Sequence, residues 1–189
     1  MRSVDKMPRL GKSRPLAPRG LLRYRKGMTP ATAPFSFPVT PVRVEFVSAE
    51  ARALYADGLN PATSHSVGTD LRACFDEDVR EIPPGERLPV PSGLRVQPRL
   101  PGFAGFLYSR SGLGARDGLV VAQGVGVIDP DYTGEIIIML LNTSTESRRI
   151  RRGERVAQLV FQPVVMPQWQ EGPLSVTDRG SGGFGHTGA

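Results

Sequence analysis

Turn signals punctuate most of this chain about every 8–12 residues, which leaves room for short strands and little else. The breaks are Pro83-Pro84-Gly85, Pro91-Ser92-Gly93, Pro101-Gly102, Asp117-Gly118, Asp131–Gly134 and Arg152-Gly153. Between them lie the β-rich pieces Leu88–Val90, Gly105–Tyr108, Leu119–Val121, Glu135–Leu141 and Val156–Phe161. Val42, Val44 and Phe46 alternate with Arg43 and Glu45, the period of a strand with one buried face. A single short helix is expected over Ser48–Asp57, with Ser48 as its N-cap and Gly58 closing it. The predicted class is therefore all-β, a sandwich, barrel or jelly roll, without internal repeats.

At 189 residues the chain is expected to form one domain with extensions, large enough to bury a core without disulfide staples. Its charge is uneven. Residues 1–27 hold nine Lys or Arg and one acid, a balance of +8, so the rest of the chain carries −2 of the total +6. A nucleic-acid face on the folded part is thus not expected. Residues 1–40 combine basic residues with prolines and read as a disordered extension, with three origins open. These are a true start at Met28 or later, an arm that touches nucleic acid or an acidic partner, and an organelle transit peptide. Residues 171–189 are Gly-rich and are expected to be a disordered end or a flap that orders on a ligand. Cys74 is the only cysteine, which excludes an intrachain disulfide and fits a reducing compartment. No apolar run approaches the roughly 18–20 residues that span a bilayer, and the N-terminus lacks the apolar region of a secretory signal. The expected location is cytoplasmic, away from membranes.

Five segments set small residues beside charged ones: Ser66–Arg72, Ser109–Gly114, Gly126–Glu135, Gly153–Gln158 and Asp178–Gly188. Each has two readings when taken alone. Ser109–Gly114, with Arg110, Ser111 and Gly112, is either an anion site or an ordinary turn into a short helix; it lacks the Lys of a P-loop. Gly126–Glu135 reads as a β-hairpin turning at Pro130–Gly134. Asp131 and Glu135 are expected to be solvated turn charges. Asp129 follows the apolar Val127-Ile128 and is expected at the edge of buried surface, where it could act as a general base. Tyr132 is a core aromatic or a ligand platform. The tail is a free terminus, or a place where Arg179 grips phosphate and Phe184 offers an aromatic face.

In this order and spacing the five segments resemble the motifs of the homotrimeric deoxyuridine triphosphatase (dUTPase) family, from about Pro41 to Ala189. The resemblance implies a jelly-roll-like β barrel over 41–170 that assembles as a homotrimer, each active site drawing on more than one subunit. Residues 171–189 would be a mobile flap donated to a neighbour. The implied reaction is Mg²⁺-dependent hydrolysis of dUTP to dUMP and pyrophosphate, which clears the nucleotide pool and supplies dUMP for dTMP synthesis. Asp129 matches the catalytic carboxylate that deprotonates the attacking water. Tyr132 matches the aromatic that leaves no room for a 2′-hydroxyl. The strand edge from Gly124, including Gly126, Val127 and Ile128, matches the part that reads uracil, and Gln123 stands beside it where many bacterial relatives have Asn. Arg110, Ser111, Gly112 and Gln158 match the phosphate end. Asp70 matches a carboxylate near the metal's water shell, and Arg179 and Phe184 match the flap residues over the γ-phosphate and the base. Ser109 replaces a usual Pro and Val67 a common Ala, and neither removes a group that the chemistry needs.

Two other functions remain on the same scaffold. A dCTP deaminase, alone or bifunctional, would place a Glu where this chain has Met139, which cannot shuttle protons at a pyrimidine ring. A non-catalytic regulator would be marked by loss of Asp129, Arg110 or the flap, and all are present.

Overall fold

The structure, a computed structural model, describes residues 40–61, 63 and 65–183. Of the expected extension 1–40, only Thr40 falls within them. In chain order the strands are β1 Val42–Phe46, β2 Thr69–Arg72, β3 Val79–Ile82, β4 Arg87–Pro91, β5 Leu94–Pro98, β6 Phe103–Ser109, β7 Leu119–Val121, β8 Gly126–Ile128, β9 Ile137–Asn142, β10 Arg148–Arg151 and β11 Arg155–Pro163. The all-β expectation holds, and every pairing among these strands is antiparallel.

One sheet has the order β2-β11-β6-β8 and another β4-β9-β7, with the pairs β1-β5 and β3-β10 beside them. Helix α1, Ala49–Leu54, is shorter than expected, but its start was legible: Ser48 accepts the Ala51 N–H at 3.0 Å. Gly58 follows in the left-handed region at φ +89°, where glycine pays no steric penalty. Its N–H returns to the Tyr55 carbonyl at 2.9 Å, closing the turn.

Alternation along the strands builds the core. Ile138 and Leu140 of β9, Leu94 of β5, Leu107 of β6, Ile150 of β10 and Val156 and Leu159 of β11 form one buried cluster. Each such aliphatic side chain contributes about 1.5–3 kcal/mol by leaving water. Asn142 is fully buried too, and its side chain is satisfied: Nδ2 donates to the carbonyls of Ile82 and Glu146, and Oδ1 accepts from Ser144. Tyr55 fixes α1 to the sheets. Its hydroxyl donates to the Ser92 carbonyl and accepts the Arg72 N–H, each at 2.8 Å. Burial pushes the phenol's pKa well above its ordinary value, so it holds its proton throughout the neutral range.

The Gly126–Glu135 segment is not a two-stranded hairpin. β8 pairs with β6, whereas β9 pairs with β4 and β7, so the turn carries the chain from one sheet to the other. The turn residues were correctly located, but local signals do not name a strand's partner.

Candidate active site

β8 delivers Asp129. Along this strand Gly126 and Ile128 face inward while Val127 is 58% exposed, and Asp129 follows at the open end. A shallow cleft of about 240 Å³ lies there, lined by Leu107, Gln123, Val127, Asp129, Tyr132 and Ile137 among others. Its walls mix aliphatic side chains with polar groups, among them Gln123, Tyr132 and the Asp129 carboxylate. Tyr132 donates its N–H to the Asp129 carbonyl at 3.1 Å, which makes the loop compact. Its ring is partly exposed and its hydroxyl donates to the Glu135 carbonyl at 2.9 Å. Of the two readings for Tyr132, a cleft wall is the one the geometry favours.

Asp131 is exposed, as expected, but Glu135 is not a solvated turn charge. It is half-buried, and its Oε1 accepts the N–H of Gly93 at 2.7 Å. The partner is 42 residues away in sequence, beyond the reach of any local pattern.

A second cluster gathers at the far end of β6. Arg110, Ser111 and Gly112 open a helical turn that runs on as one π-helical turn, Leu113–Asp117, closed by Gly118 at φ +70°. The turn into a short helix is present, and within it Ser111 and Gly112 are exposed while Arg110 is half-buried. Arg110 donates from Nε to Asp70 at 3.0 Å and from Nη1 to the Arg155 carbonyl at 3.2 Å. Gln158 points to the same carboxylate, with Nε2 at 3.4 Å from Asp70 Oδ1. Register explains the meeting: β11 lies between β2 and β6, with Gln158 opposite Asp70 on one side and Tyr108 on the other.

The network continues through residues that the sequence did not single out. Arg155 lies 3.5 Å from Asp70 and 3.7 Å from Asp57, and Arg72 pairs with Asp57 at 2.5 Å. Three guanidiniums thus share two carboxylates, which holds the arginines in place and leaves one positive charge in excess. Arg155 sits inside the Gly153–Gln158 segment, three residues before Gln158, and that membership was the available signal. Asp57 had none.

Asp70, expected near a metal's water shell, is engaged with arginines in this chain. Among the described residues no group of three or more His, Cys, Asp or Glu could hold a metal ion.

The two clusters do not meet within one chain. Ile128 pairs with Gly105, so Asp129 lies level with Ala104, six residues along β6 from Arg110. At roughly 3.3 Å per residue that is about 20 Å. β6 therefore holds the expected base and the expected phosphate ligands apart.

The segment from Val164 to Gly183 leaves β11 without forming a strand. Val165, Met166, Trp169, Leu174 and Val176 on it are 88–101% exposed. Arg179 is exposed and donates from Nε to the Gly182 carbonyl at 2.9 Å, within its own turn. The structure does not bring it into the Asp129 cleft. Phe184 lies outside the described residues. No helix among the described residues is long and apolar enough to cross a membrane.

A family model described as dUTPase matches residues 55–188. The deoxyuridine 5′-triphosphate nucleotidohydrolase of Escherichia coli O9:H4 (strain HS) is 45% identical over 128 residues, which is 67% of this chain and 84% of that protein. Among solved structures, the Staphylococcus bacteriophage 80alpha dUTPase with dUPNHPP superposes with a TM-score of 0.68 at 25% identity, covering 79% of this chain and 99% of the other. The dUTPase from Streptococcus mutans superposes with a TM-score of 0.58 at 28% identity, covering 67% and 98%.

Proposed function

The chain belongs to the dUTPase family and is a dUTP diphosphatase, and on that premise we propose that Asp129 is its general base and that each active site is shared between chains of a homotrimer. The observation that carries this reading is the spacing along β6. Asp129, after β8, lies level with Ala104 of β6, six residues along that strand from Arg110, about 20 Å at strand rise. A nucleoside triphosphate engaged by Asp129 at its α-phosphorus cannot also be gripped by the same chain's Arg110. A neighbouring chain must bring that arginine.

The steps follow from the groups. Uracil lies along the β8 edge, where the backbone of Gly126, Val127 and Ile128 offers donors and acceptors and Gln123 flanks them. Backbone groups discriminate well because a cytosine amino group would face a donor and leave it unpaired. Tyr132 packs against the deoxyribose. Asp129 takes a proton from a water that attacks the α-phosphorus; the bond to the bridging oxygen breaks, and pyrophosphate leaves. Arg110, Ser111, Gly112 and Gln158 of the neighbour hold the phosphates. Arg179 and Phe184, on the arm 171–189 of another chain, close over the γ-phosphate and the base and exclude water.

The donor set fits Mg²⁺, which keeps several waters and binds mainly through substrate phosphates. When bound it neutralises phosphate oxygens, and Asp70 is the residue that would meet its water shell. We assign residues 41–170 to the barrel, 171–189 to the donated arm and 1–40 to an extension. We place the enzyme in the cytoplasm, where the free thiol of Cys74 suits a reducing compartment.

The test is pyrophosphate release from dUTP, dCTP, dTTP and UTP with Mg²⁺, for the wild type and Asp129→Asn. Release from dUTP alone is expected, with kcat falling by about 10²–10⁴ in the variant. Near-normal turnover by Asp129→Asn would remove the assigned base.

A further inference from the structure

The loop bearing Asp129 and Tyr132 is fixed at its far end by two residues that the mechanism above does not use, Gly134 and Glu135. Tyr132 folds its ring back over Gly134. A Cβ built on Gly134 would lie 2.6 Å from Tyr132 Cζ and 2.9 Å from Cε2, closer than real Cβ contacts come. Gly134 is not among the glycines with positive φ. Its lack of a side chain therefore serves the ring above it, not the backbone.

The ring's other hold is its hydroxyl, which donates to the Glu135 carbonyl at 2.9 Å. Glu135 is itself anchored, since its carboxylate accepts the Gly93 N–H at 2.7 Å. Gly93 belongs to the turn between β4 and β5, at φ +74°. A Cβ on Gly93 would come 2.7 Å from Ala51 Cβ and 2.9 Å from Cys74 Sγ, so the turn is wedged against α1 and the core. The next residue reinforces the tie: Ile136 donates to the Leu94 carbonyl at 2.9 Å and accepts the Ser92 N–H at 3.0 Å. A continuous set of contacts thus runs from an exposed phenol ring to one of the most confined turns of the barrel.

We propose that Gly134 and Glu135 are positioning residues for sugar selectivity: they lock the Tyr132 ring in place and so set the slot that takes a 2′-deoxyribose and refuses a ribose. This rests on the reading of Tyr132 as the sugar-facing aromatic. A slot rejects one extra hydroxyl only if its wall cannot retreat. Gly134 lets the ring lie flat on its own loop, and Glu135 stops that loop from moving with the ring.

The experiment compares kcat/KM for dUTP and UTP in the full chain, for the wild type, Gly134→Ala, Glu135→Ala, Glu135→Gln and Tyr132→Ala. Gly134→Ala is expected to lower the preference for dUTP by about tenfold, and Glu135→Ala by about threefold. Glu135→Gln should keep the wild-type preference, because its amide oxygen still accepts the Gly93 N–H. A purely structural role would depress both substrates alike and leave their ratio unchanged. That result in Gly134→Ala and Glu135→Ala, with the ratio reduced in Tyr132→Ala, overturns the positioning role and keeps Tyr132 as the wall. A full preference in Tyr132→Ala would instead remove the reading of Tyr132, and this inference with it. Should Gly134→Ala fail to fold, the contrast between Glu135→Ala and Glu135→Gln decides alone.

Discussion

In the proposed site, the phosphate end is held by a network of side chains, and the sugar end mainly by main-chain groups, with the Glu135 carboxylate as its side-chain tie. At the phosphate end, Arg110, Arg155 and Arg72 are cross-linked through Asp70 and Asp57, drawn from β2, β11, the end of β6 and the turn after α1. At the sugar end, Tyr132 rests on a glycine and a carbonyl, and the loop beneath it is pinned by backbone N–H groups. The difference follows from what each end must bind. A polyphosphate is recognised by charge, so its ligands need counter-ions to stay in place before it arrives. A base and a deoxysugar are recognised by shape and by unpaired hydrogen-bond groups, which rigid backbone supplies best.

This contrast can be broken at either end. Arg110→Lys keeps the charge but loses the planar fork that reaches Asp70 and the Arg155 carbonyl together. A fall in kcat/KM of about a hundredfold is expected, with the dUTP-over-UTP ratio unchanged. A changed ratio would mean that the two ends are not independent. A smaller effect is expected from Asp57→Asn, since Asp57 is 55% exposed and touches only Arg72 and Arg155 within this network. A rise in KM of about twofold is predicted, again without loss of sugar selectivity. The smallest effect concerns the underside of the sugar end, where Cys74 lies against Gly93. Burial, and then the Glu135 charge, push this thiol's pKa up. The folded state therefore holds the proton more tightly than the unfolded one. The resulting stability is full below the unfolded thiol's pKa and is lost as pH rises through the folded one. Thermal melting should show a slightly steeper alkaline decline than in Cys74→Ser, and iodoacetamide should label native Cys74 more slowly than unfolded chain at pH 8. Equal labelling rates would contradict the shift.

The fold was legible where turn signals bounded β-rich pieces. β1, β7 and the middle of β11 lie where they were expected, but β1 does not have the buried face its alternation predicts, since Val44 is 42% exposed. β10, with three arginines around a single buried Ile150, carries too little apolar signal to be read as a strand. It forms only because Ile150 is needed in the core and β3 offers a matching edge. The candidate site was legible as residue types and not as connections. Asp70, Arg110 and Gln158 stood out, yet their hydrogen bonds span 40 to 88 residues, and only the register of β11 between β2 and β6 makes them neighbours. The same limit explains Glu135, which looked like a turn charge because its partner belongs to another turn.

The central claim is that one chain cannot complete a site, and mixing two inactive variants tests it most directly. Asp129→Asn and Arg110→Ala are each purified, then unfolded together and refolded as a mixture. If base and phosphate ligands come from different chains, about one site in four regains both intact groups in a closed ring, and pyrophosphate release from dUTP should return to about a quarter of the wild-type rate. A mixture no more active than its two components, while the wild type refolds to full activity, would mean that Asp129 and Arg110 serve the same site from the same chain, and the account would fail.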